Sequence, residues 1–141
     1  MPSLRFACVI CGLFALGPLA GCSESHDEGH EHEAEKEGNA TGSTCPTDSA
    51  LTYETFGRAF MESYCTNCHS STLVGAARND APTDHNFDSL EEIRATEPEH
   101  LDEEAAAGPD AINTEMPPAG HSAPSEQERR QLGEWLACGT P

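Results

Sequence analysis

The stretch ESYCTNCHSS, residues 62–71, constrains this chain more than any other. Cys65 and Cys68 stand three apart, and His69 follows the second cysteine directly. Three chemistries use such a pattern: half of a zinc site, a dithiol for disulfide exchange, or covalent attachment of haem. A structural zinc takes four ligands, typically from two such pairs. There is no second pair, because Cys45 and Cys138 stand alone. A redox dithiol of the thioredoxin kind sits in a βαβ context, and no alternating segment of useful strand length is present. Attachment of one haem fits best: each cysteine sulfur bonds a vinyl group and the histidine lies beneath the iron.

The start of the chain bears on that choice. Arg5 and the apolar run FACVICGLFALGPL read as a signal peptide, Met1 to Gly21. The apolar core is roughly 14 residues, short of the roughly 20 that a spanning helix needs. The end of the run, Leu19-Ala20-Gly21-Cys22, resembles a bacterial lipobox. That resemblance implies cleavage before Cys22 and lipid on its sulfur, which would anchor the chain to a membrane. An ordinary secretory signal or a retained membrane helix are the alternatives. Export places the rest of the chain on the periplasmic side of the cell envelope, where disulfides persist; which membrane holds the anchor stays open. Cys8 and Cys11 would leave with the signal.

The formal net charge is −18, with 25 acidic against 7 basic residues. Nucleic-acid binding needs a basic footprint and is excluded. A protein partner with a basic docking face is favoured, because complementary fields speed encounter.

A chain of 141 residues holds one domain at most. Residues 22–44 carry no apolar periodicity and are expected to form a disordered tether, with a random-coil reach of roughly 25 Å. His26, His30 and His32 lie among its acids. They read either as a loose collector of divalent metal or, preferably, as part of a solvated spacer. The folded domain is expected over 45–141. Thr52 suits the cap of a first helix through about Tyr64, with Phe56, Phe60 and Tyr64 on one stripe. Asp88 with Glu91 reads as a capping box for a second helix. Pro98 and Gly108 suit the start and stop of a third. Ser125 with Glu128 opens a fourth that carries Leu132, Trp135 and Leu136. The expected fold is all-α, about four helices with long loops around a thin core. Such a core ordinarily needs a staple or a cofactor.

Residues 45–141 resemble a class I c-type cytochrome, a single-haem electron carrier. The resemblance rests on Cys65-Thr66-Asn67-Cys68-His69, on Gly57 eight residues earlier, on Leu132 and Trp135 in the last helix, and on Met116 in NTEMPPAG. The family often places phenylalanine four residues before the first haem cysteine; here that residue is Met61, and Phe60 precedes it. The resemblance implies that the first and last helices cross at Gly57. It implies iron held by His69 and Met116, with His85, His100 and His121 as rivals to the methionine. It further implies a proline carbonyl, that of Pro82, accepting the His69 ring N–H. Arg78 either pairs a haem propionate or is a solvated surface residue. Cys45 and Cys138 flank the crossing helices, so a disulfide between them is expected, with two free thiols as the alternative.

The function that follows is single-electron transfer between redox proteins by a membrane-anchored monomer, without enzymatic activity. Two other functions stay open: small-molecule or peroxide chemistry at an open sixth position, and metal handling by the histidine-rich tether.

Overall fold

The computed structural model describes residues 38–141. Signal peptide, Cys22, His26, His30 and His32 lie outside the described residues. Within them the fold is all-α, as expected. It has four α-helices, and its only strand-like pairing is one isolated antiparallel bridge, Ala107 with Ile112. No helix among the described residues is long and apolar enough to cross a membrane.

Thr52 opens the first helix with a reciprocal cap. Its hydroxyl accepts the Thr55 N–H at 3.1 Å, and the Thr55 hydroxyl accepts the Thr52 N–H at 2.9 Å. The chain enters through a π-helical turn, Tyr53–Gly57, and continues as α1, Arg58–Tyr64. The last helix, α4, spans Glu126–Ala137, and Ser125 with Glu128 makes the expected capping box. The first helical segment and α4 meet at Gly57. A Cβ at Gly57 would lie 2.5 Å from Trp135 Cζ2 and 2.7 Å from Cη2. Only glycine lets the backbone come that close to the indole. Gly57→Ala is therefore expected to lower stability by about 1–3 kcal/mol through overpacking. Thermal unfolding measures this, and an unchanged midpoint would mean that the indole moves aside freely.

Between these helices lie α2, Leu90–Ala95, and α3, Pro98–Ala105. Pro98 stands in the first turn of α3, as its fixed φ favours. α3 packs on α4. The core gathers Phe60, Met61, Phe87, Ile93, Leu101, Leu132, Trp135 and Leu136. Met61 is thus a core residue. Phe56 reaches the same cluster, with its ring 6.1 Å from that of Trp135.

Two expected helix boundaries move. The cap of α2 is Ser89, one residue beyond Asp88: the Ser89 hydroxyl accepts the Glu92 N–H at 3.3 Å. Asp88 instead accepts the Ser71 N–H at 2.6 Å, closing the loop that follows His69. α3 stops at Ala105, before Gly108. Gly108 permits a close approach rather than a helix stop, because its Cβ would lie 2.4 Å from the Thr41 carbonyl oxygen.

The domain also begins before Cys45. Residues 38–43, expected in the disordered tether, form a strap across α3 and the segment after it. Thr41 is fully buried; its amide and hydroxyl both donate to Asp102, at 2.7 and 2.6 Å. The Asn113 side chain donates to the Asn39 carbonyl at 2.7 Å. These contacts are hydrogen bonds made by small polar residues, so no hydropathy signal marks them. Cys45 and Cys138 then stand at disulfide distance, Sγ–Sγ 1.91 Å and Cα–Cα 4.7 Å.

Candidate functional site

The Cys-x-x-Cys-His segment is one compact turn at the end of α1. The Cys65 amide caps α1 on the Met61 carbonyl at 2.9 Å. The amides of Cys68 and His69 then both donate to the Cys65 carbonyl, at 3.1 and 2.9 Å. Both cysteines are unpaired and half-buried. Burial pushes the Cys65 thiol up to about 12, against the opposing pull of the Arg129 charge. Such a thiol is protonated at neutral pH and is a poor nucleophile for disulfide exchange. Nor do Cys65, Cys68 and His69 assemble as a metal-binding group of three; among the described residues no such group exists.

His69 Nδ1 lies 3.1 Å from the His85 carbonyl oxygen. A carbonyl only accepts, so Nδ1 carries the proton and Nε2 keeps its lone pair. Burial lowers the His69 pKa, and the His85 carbonyl opposes that effect. A neutral imidazole with a free Nε2 is the form that ligates metals. The Phe87 ring stands 4.9 Å from the imidazole, and the Phe87 amide donates to the His69 carbonyl at 2.9 Å.

Pro82 does not accept from His69, and Arg78 is not a solvated surface residue. The Arg78 side chain is buried and folds the loop after His69 around itself. Nη1 donates to the Ser70 carbonyl at 2.6 Å and to Asn86 Oδ1 at 3.0 Å. Nε donates to the Ala81 carbonyl at 3.1 Å, and Nη2 to the carbonyls of Pro82 and, at 3.2 Å, His85. The Pro82 carbonyl is thus taken by the guanidinium, which also helps aim the His85 carbonyl at His69. The loop turns back just after this arginine, at Asn79 and Asp80, with φ of 50° and 65°. Asn and Asp are the non-glycine residues that best tolerate that region.

Met116 lies in the loop before α4. Its amide donates to the Glu104 carbonyl at 2.9 Å. Its carbonyl accepts Arg129 Nη1 at 2.8 Å, and the residue is 36 % exposed. The same Nη1 donates to the carbonyls of Ala105 and Asn113, at 2.7 and 2.9 Å. Arg129 is buried and its charge is felt at Cys65. It therefore stands between the cysteine turn and the Met116 loop. Sequence reasoning missed it, although Arg129, Leu132 and Leu136 share one face of α4 at helical spacing, and an arginine on such a face signals a buried role. An open cleft of about 500 Å³ adjoins this loop, lined by Ile112, Pro117, Pro118, His121 and Arg129 among others. His85 and His100 are paired elsewhere, with ring centres 5.4 Å apart.

Tyr64, the last residue of α1, donates its hydroxyl to Glu128 at 2.9 Å. The Ser125 hydroxyl and amide, with Tyr64, hold the Glu128 carboxyl below its ordinary range. A depressed folded pKa stabilises above the unfolded value and is lost as pH falls through the folded one. Ser125→Ala is expected to cost about 1 kcal/mol at pH 7 and less in acid. Denaturant midpoints across pH check this; an equal loss at both ends of the range counts against the carboxylate cap.

No family model, no curated protein and no solved structure matches the chain.

Proposed function

We propose that this chain is a single-haem electron carrier of the cell envelope, of the kind that class I c-type cytochromes represent. One observation carries the reading. A single turn presents two unpaired thiols and, beside them, an imidazole whose Nδ1 is committed to a backbone carbonyl, leaving Nε2 to bind iron.

When bound, haem supplies a one-electron ferric–ferrous couple. The chain's own residues hold and tune it. Cys65 and Cys68 would hold the group covalently, each through its sulfur. His69 would offer Nε2 to the iron, and Met116 would offer its thioether. Arg129 fixes the Met116 backbone, and Arg78 fixes the loop that orients His69. With His69 and Met116 both engaged, a substrate would find no place on the iron, so the proposed role is transfer and not catalysis. Two of the seven basic side chains, Arg78 and Arg129, are buried, while Arg58 and Arg130 pair with Glu54 and Glu126. The outer surface is therefore strongly acidic, which favours redox partners with basic faces. Lipid at Cys22 would hold the carrier at a membrane.

Absorption spectra of the full chain, matured with haem-attachment machinery, test the proposal. The pigment is expected to stay with the chain after denaturation, and the oxidised form to show the weak methionine–ferric charge-transfer band. Met116→Ala should lose that band and keep the pigment. High-spin, five-coordinate iron in the unsubstituted protein would overturn electron transfer in favour of small-molecule chemistry.

A further inference from the structure

His85 and His100 form a second grouping, separate from the cysteine turn. His85 lies in the loop organised by Arg78, and His100 lies in α3 near its start. Their rings sit 5.4 Å apart at an interplanar angle of 63°. Both are half-buried, at an open cleft of about 340 Å³ that Asp84 and Glu97 also line. Neither imidazole makes a hydrogen bond among the described residues, although most ring nitrogens in such a setting find a partner.

We propose that this cleft binds one divalent ion of the zinc class, held by His85 and His100 and completed by a carboxylate and water. Two imidazoles on one tetrahedral zinc, at Zn–N of about 2.0–2.1 Å, put their ring centres about 5 Å apart. The observed separation is close to that value before any ion binds. Ring nitrogens without partners are free to ligate. Asp84 and Glu97 are both exposed and supply oxygen ligands and negative charge at the same cleft. No set of three ligating groups is preassembled among the described residues, so the ion itself draws in the third. An ion there would pin the loop to α3. That loop carries the His85 carbonyl on which His69 rests. The site does not depend on the haem reading: it uses side chains that the proposed carrier leaves idle.

Zinc titration of the full chain tests it. The tether histidines are first removed together, His26→Ala, His30→Ala and His32→Ala, so that they do not compete. This reference is expected to bind one zinc ion per chain by calorimetry. His100→Ala in the same background should weaken binding at least tenfold, and Asp84→Asn with Glu97→Gln should weaken it less. A reference chain that binds no zinc, or binds it equally well after both His85→Ala and His100→Ala, would overturn the proposal. A second measurement needs no variant in the cleft. Zinc should shift the ring signals of His85 and His100 in the NMR spectrum of the reference chain; shifts confined to other histidines count against the site.

Discussion

Replacing both Cys45 and Cys138 by alanine is expected to lower the stability of the domain by about 4–5 kcal/mol. The two residues are 93 apart, and the closed loop contains all four helices. In the chain-entropy picture the bond acts by shrinking the unfolded ensemble, and the gain grows with loop length. Small domains have about 5–15 kcal/mol in all, so much of the total rests on this link. Denaturant unfolding of the full chain, with and without reductant, measures it as a shift of midpoint. A loss below about 1 kcal/mol would mean that other contacts between the chain ends, Gly57 against Trp135 and the 38–43 strap, already close the loop in the unfolded ensemble.

The second large effect belongs to Arg78. Arg78→Met keeps much of the side chain's length and removes every donor. Four carbonyls and the Asn86 amide oxygen lose the guanidinium together. The expected loss is about 3–5 kcal/mol, because buried acceptors left unpaired each cost about 1–3 kcal/mol. Arg78→Lys should recover little, since an ammonium carries three donors on a flexible stem where the fork carries five. Denaturant midpoints give the energy. Nitrogen NMR gives the local result: the His69 Nδ1–H signal should broaden or vanish as the His85 carbonyl loses its second donor. A sharp, unmoved His69 signal in Arg78→Met would show that the carbonyl is held without the arginine. Arg129→Met is the counterpart at the Met116 loop. It should loosen the Met116 loop and leave the His69 signal in place.

What the sequence made legible follows the range of the forces involved. Thr52, Pro98 and Ser125 act within one turn of their own helices, so their roles were readable from neighbours alone. Asp88 and Ser89, both residues able to cap, stand side by side, and local rules cannot choose between them. The choice is made at a distance, because the Ser71 amide takes Asp88. The His69 acceptor shows the same limit. Pro82 was expected from the resemblance; the loop instead winds around Arg78, which takes the Pro82 carbonyl and brings the His85 carbonyl under the imidazole. Arg78 and Arg129 carry charge, and charge reads as surface unless its acceptors are known. Those acceptors are backbone carbonyls, which every residue has, and no residue type announces them. The 38–43 strap was invisible for a related reason: glycine, asparagine, threonine and serine give no apolar pattern, yet their hydrogen bonds bury Thr41 completely.

That strap changes how the domain would bear a load. Among the described residues, a pull arriving from the N-terminal side first meets Asn39 on Asn113 and then Thr41 on Asp102. These contacts anchor the incoming chain to α3 and to the segment after it. Any tension they pass on reaches Cys45 next and crosses to Cys138 at the end of α4, as a covalent bond. Load taken by the strap and by this bond is load that the chain from Cys45 into α1 does not carry alone.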